Sequence, residues 1–285
     1  MRLLGVYLAA IAALFLAPSA DAGESNGQPV DRFTLVEMAN FSKQIEAELA
    51  QRGAYVAMVF RTGRERAELP EGIRYTHGAF WVYTPIPTQG GGTQYGYAVY
   101  NLYHELDPVT VSNLYQDWPL DFTRGDIVGQ VGVIIPNAEM QQRIIDVIAS
   151  PYFEALHQPD YSLLSNPADG RYQNCNEFML DVVSSAIWQT ASREQIKVNL
   201  DAYFSASRVN LNFFQRWVGP LIDQRLRLDD HYGEIRTATF ASIADFMLAF
   251  DLAEEEQIFE IDAPFSLAED TAYPPSAPAP AMAAE

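Results

Sequence analysis

Apolar positions follow three rhythms along the chain. Residues 3–17 form an almost unbroken apolar run, preceded by Arg2 and followed by Pro18 and "SADA". Between residues 31 and 52, Phe33, Val36, Phe41, Ile45 and Leu49 recur at near-helical spacing, which predicts a helix closed by Gly53. The rhythm then changes. "AYVAMVF" (54–60), "HGAFWVYTPI" (77–86), "YGYAVYNLYH" (95–104) and "IVGQVGVIIP" (127–136) are short apolar and aromatic runs bounded by glycine and proline, and they predict strands. "RTGRE" and "LPEG" are turns, "PTQGGGTQ" is a hairpin loop, and the polar stretch 105–126 predicts loops and short helical turns. Helical spacing returns with Met140, Ile144, Ile145 and Ile148, and again from Asn174. A further helix starts near Ser192, where Ser192 and Gln195 spell a capping box, and two more fall within 211–228 and 239–250. A helix, several strands and then mostly helices make an α+β protein.

The first rhythm is an export signal. Ala20 and Ala22 fit the small-x-small cleavage rule, so residues 1–22 read as a signal peptide. The apolar core falls short of the roughly 20 residues of a spanning helix, and no later stretch is long enough to cross a bilayer. The layout expected is a signal peptide (1–22), a single α+β domain with a helical C-terminal part (23–262), and a disordered Pro/Ala-rich tail (263–285) whose composition buries no core. The location expected is periplasmic or secreted. A formal charge of −19 excludes nucleic acid as a partner, because phosphates are repelled, and it opposes adhesion to anionic lipid.

Export makes the one cysteine notable, since Cys175 has no internal partner for a disulfide. It sits in "RYQNCNEFMLDVV", where Asn174 and Glu177 spell a variant capping box and Leu180, Val182, Val183 and Ile187 continue an apolar helix. Cys175 therefore falls in a first helical turn, where unsatisfied N–H groups and the helix dipole favour thiolate. A thiolate nucleophile needs a base. Of four histidines, His77 stands out at the head of an apolar strand beside Gly78. The orienting oxygen would come from the next strand, with Asn101 and His104 both open as candidates. No C-x-x-C or H-x-x-x-H spacing points to a metal, and no cofactor is expected.

These motifs carry a resemblance. "THGAF" at a strand head, a polar residue on the next strand and a later "NCNEFMLDVV" resemble the circularly permuted NlpC-like branch of the papain-like fold. More closely, "AYVAMVFRTGRE", "GIRYTHGAFWVY" and "YQNCNEFMLDVV" resemble an exported bacterial family of unknown function, over residues 30–250. The resemblance implies an antiparallel sheet packed on the cysteine helix, with Cys175 as nucleophile, His77 as base and Asn101 as orienting residue. The usual oxyanion glutamine has no counterpart, which leaves the Cys175 N–H with help from Tyr172, Gln173 or Asn174. The function expected is an exported thiol hydrolase or acyltransferase acting on an amide or ester of a peptide, cell-wall peptide or lipid. The alternative is a papain-like binding module that has lost catalysis.

Overall fold

A computed structural model describes residues 32–261 apart from 89 and 212, so the expected signal peptide and tail lie outside the described residues. The first helix, α1 (Leu35–Gln51), begins where Thr34 accepts the Glu37 N–H and the Glu37 carboxylate takes the Thr34 N–H at 2.7 Å. Gly53, at φ 67°, then turns the chain through the left-handed region into the first strand.

Six strands form one antiparallel sheet. In chain order they are β1 (Val56–Arg61), β2 (His77–Pro87), β3 (Thr93–His104), β4 (Ser112–Asp117), β5 (Gln130–Pro136) and, near the end, β8 (Ala253–Glu260). In space the order is β4-β3-β2-β1-β5-β8. The four central strands match the four apolar runs. The two edges, β4 and β8, fall in stretches whose sequence predicts none. "SNLYQD" and "AEEEQIFE" each pair on one side only, so they carry polar residues where a central strand carries apolar ones.

Helices cover both faces. On one face, α1 and the short α2 (Pro119–Arg124) press Phe41, Ile45, Leu49 and Phe122 onto Ala57, Val59, Ala79, Trp81 and Val99. On the other lie α3 (Ala138–Ile148), a single turn α4 (Tyr152–Ala155), α5 (Cys175–Trp188) and, later in the chain, α8 (Phe240–Ala249). Their side chains meet Val56, Met58, Phe60, Phe80 and Leu102. β-Strand alternation sorts the residues: even-numbered positions of β1 face α5 and odd-numbered ones face α1. α6 (Arg193–Tyr203) packs on the outside of α5, which is therefore buried nearly all round, its Glu177 and Asp181 paired with Lys197 of α6. A two-stranded ribbon, β6 (Ser207–Arg208) with β7 (Arg236–Thr237), and α7 (Phe213–Ile222) complete the C-terminal half. The α+β reading holds, and no helix of the described residues is long and apolar enough to cross a membrane.

Candidate functional site

Cys175 opens α5. Asn174 caps the helix, its Oδ1 accepting the Glu177 N–H at 2.9 Å. The capping box is only half formed: the Glu177 carboxylate turns inward and takes Lys197 Nζ at 2.6 Å instead of reaching back to the cap. A charge on α6 offers Glu177 more in a buried setting than one backbone N–H does.

The sulfur lies on the α5 face of the sheet, 3.9 Å from the Thr76 carbonyl and 3.9 Å from Asn176 Oδ1. Only 5% of Cys175 is exposed. Burial pushes its thiol up, while the N–H groups of Gly78 and Asn176 and the charge of Arg61 act in the opposite direction. The close approach of helix and strand has a clear cause in Gly78, because a Cβ there would stand 2.8 Å from Met179 Sδ and from the Phe60 ring. The glycine admits Met179 to the strand.

That same fact turns His77 the other way. With Gly78 facing α5, strand alternation sends the side chains of His77 and Ala79 to the α1 face. There the His77 ring stacks on Tyr103 at 4.6 Å between centroids and meets Phe122 of α2 at 5.6 Å. Its Nε2 bonds Asn101 Oδ1 at 3.1 Å, and Asn101 Nδ2 donates to Asp117 Oδ2 at 3.0 Å. Burial, followed by the charge of Arg61, holds the His77 imidazole well below the usual histidine range, so it is neutral. Asp117 is pushed by burial up to about 6. The structure therefore brings His77 and Asn101 together and puts the sheet between that pair and Cys175. Sequence reasoning did not include Asp117, because it lies on the unrecognised edge strand β4.

His104 shares the thiol's face. Its ring packs on Tyr161 at 5.2 Å, and Tyr161 is close enough to Cys175 for a thiolate there to raise the phenol's pKa further above the value that burial gives. The ring's two nitrogens are both engaged. Nδ1 lies 2.8 Å from the Glu105 carbonyl and so carries the proton, and Nε2 accepts from Arg225 Nη1 at 3.2 Å.

The three oxyanion candidates are committed elsewhere. Tyr172 OH donates to Asp229 and its ring lies under Arg227 at 3.8 Å. Gln173 accepts from the Gln158 N–H and donates to the Leu156 carbonyl and Asp181, so its amide is spent. Asn174 Nδ2 donates to the Leu163 carbonyl while its Oδ1 caps the helix. All three hold the loop that delivers the chain to α5. Among the described residues no cluster of His, Cys, Asp and Glu forms a metal cage.

The fold and site define an α+β protein with helices on both faces of an antiparallel sheet and a buried cysteine at the start of its central helix. The chain belongs to a family of uncharacterized proteins conserved in bacteria (DUF2145), whose model matches residues 48–247 and so spans β1 to α8. No curated protein and no solved structure matches the chain.

Proposed function

We propose that this protein is an exported, papain-like binding module in which the cysteine is a packing residue and not a nucleophile. One observation carries the reading: the thiol and the His77–Asn101 pair occupy opposite faces of the sheet. A base accepts a proton only within hydrogen-bond reach, about 3 Å or one water away, and an intervening sheet denies it that. Burial of the thiol and the commitment of Tyr172, Gln173 and Asn174 to structural bonds agree with it. The papain-like part of the reading rests on the sequence resemblance, and a cysteine at the first turn of a helix packed on an antiparallel sheet agrees with it. The acidic surface and the proline-rich tail suit contacts with proteins outside the cytoplasm.

A second reading, the thiol hydrolase or acyltransferase, is favoured by the N–H groups of Gly78 and Asn176 at the sulfur, which stabilise thiolate. In that reading the base comes from the thiol's own face, where His104 stands after Arg225 withdraws from Nε2.

The deciding experiment is the pH dependence of Cys175 alkylation by iodoacetamide in the folded protein, in the wild type, His77→Ala and His104→Ala. A binding module gives alkylation slower than that of the unfolded chain at every pH, unchanged by His77→Ala. A rate that titrates well below the free-thiol value of about 8.5 and loses that behaviour in His104→Ala overturns the proposal and establishes the thiol enzyme.

A further inference from the structure

The two edges of the sheet are finished differently. Along β8, Glu254, Glu256 and Glu260 stand exposed, and charges in a row of this kind blunt an edge against further pairing. β4 reads "SNLYQD", and its only charge is Asp117, which is buried in the polar chain with Asn101. It has no lysine, no proline and no bulge along its length.

The backbone of β4 is open on the same side. Glu105 N–H donates to the Val111 carbonyl at 2.7 Å, so residue 111 faces β3, and the Ser112 N–H turns outward to the Pro159 carbonyl at 2.8 Å. Alternation then aims Asn113, Tyr115 and Asp117 at β3, and the N–H and C=O groups of Leu114 and Gln116 outward. Residues 159–161 cover this outer side only at 110–112, where the Tyr161 N–H also donates to the Thr110 carbonyl. Further along, Leu114 and Gln116 make no backbone hydrogen bond away from β3 among the described residues. Two donors and two acceptors are left as a slot one strand wide.

The surroundings select what fits it. From 105 to 123 the chain carries Glu105, Asp107, Asp117 and Asp121 and neither lysine nor arginine. Glu105 holds its carboxylate beside the edge, accepting from Tyr115 OH at 2.5 Å and from Asn113 Nδ2 at 2.6 Å. Leu114 and Tyr115, on opposite faces of the strand, are half-buried and offer apolar surface to either side of an added strand. A second copy of the chain is disfavoured as occupant, because it brings the same carboxylates and a further net charge of −19.

We propose that the β4 edge at Leu114–Gln116 takes an extended, cationic segment of a partner protein as an added strand, with main-chain hydrogen bonds to those residues and a lysine or arginine facing Glu105. The inference deepens the binding-module reading and rests on it.

The test is amide hydrogen exchange, read by NMR on the full chain, with the synthetic peptide Ac-KTVKVTK-NH2 and its acidic twin Ac-ETVEVTE-NH2. In the protein alone, the amides of Leu114 and Gln116 should exchange about tenfold or more faster than those of Asn113 and Tyr115. The cationic peptide should slow both by about tenfold, and the acidic twin should leave them unchanged. Gln116→Pro removes one outward N–H at a place where an edge strand accepts proline, and should weaken the cationic peptide about tenfold. Gln116→Lys keeps that N–H and sets a like charge against the peptide, so it should weaken binding several-fold even if the proline variant unfolds. No slowing by the cationic peptide overturns the proposal. So do amides already slow in the protein alone, slowing that scales with protein concentration, which identifies a second copy, and equal slowing by both peptides. Such a failure beside slow Cys175 alkylation leaves the binding-module reading standing, whereas rapid alkylation at low pH removes that reading whatever the peptide does.

Discussion

The two faces of the sheet are built on different principles. The α5 face is apolar where it meets the sheet, with Cys175 in the same cluster as Phe178, Met179 and Leu180, and keeps its buried charges, Glu177, Asp181 and Lys197, between α5 and α6. The α1 face buries a polar chain through His77, Asn101 and Asp117, roofed by Tyr103 and Phe122. An apolar face tolerates changes of identity when volume is kept, whereas a buried hydrogen-bonded chain fails when any link is lost. Motif reading joined a residue from the first face to two from the second. The lesson is that a strand residue's face decides its chemistry as much as its identity does.

The difference can be broken by mutation, starting with the middle of the polar chain. Asn101→Leu takes from His77 its Nε2 partner and from Asp117 one of its two side-chain partners, the Tyr103 hydroxyl remaining, at about 1–3 kcal/mol for each lost pairing, so a loss of about 3 kcal/mol is expected in urea denaturation. A loss under about 1 kcal/mol would place both faces on the same footing.

The next effect is a pH dependence. Asp117, raised to about 6 from 3.8, contributes stability that is present below about pH 4 and lost as pH rises through 6, about 3 kcal/mol at about 1.4 kcal/mol per pH unit. His77 works in the opposite sense: its folded value is depressed, so its contribution is present above about 6.5 and lost as pH falls. Asp117→Asn should remove the Asp117 contribution, so the stability of the wild type relative to the variant falls by about 3 kcal/mol between pH 4 and 6. If the variant's pH profile overlays that of the wild type, the two groups do not share a network.

Gly78→Ala comes third. Its new methyl meets Met179 and Phe60 at 2.8 Å, and overpacking of this kind costs about 1–3 kcal/mol. Combining it with Met179→Ala should recover part of that loss, and additive losses would deny the contact. The smallest effect belongs to Cys175→Ala, expected at about 1 kcal/mol for the apolar volume removed. That figure sharpens the comparison, since the least costly position of the four is the one that drew attention in the sequence.

Much of the fold was legible beforehand. The four central strands, α1, α3, α5 and α8 all announced themselves by apolar rhythm, because each buries a face or a stripe against neighbours. The two edge strands did not, since β4 and β8 satisfy one side with backbone pairing and leave polar residues on the other. The His77–Asn101 contact was anticipated as well: both lie near the same level of adjacent strands. Asp117 could not be joined to them without knowing that β4 exists.

The sequence by itself determined the class of fold, the helix start at Cys175 and the strand entry at His77, because these follow from local periodicity and capping. Tertiary structure alone decided which side of the sheet each side chain takes. That choice was set by one contact distant in sequence, the seating of Met179 against Gly78. A strand's period of two fixes that neighbours face opposite ways, but only the packing partner fixes which of them faces the helix.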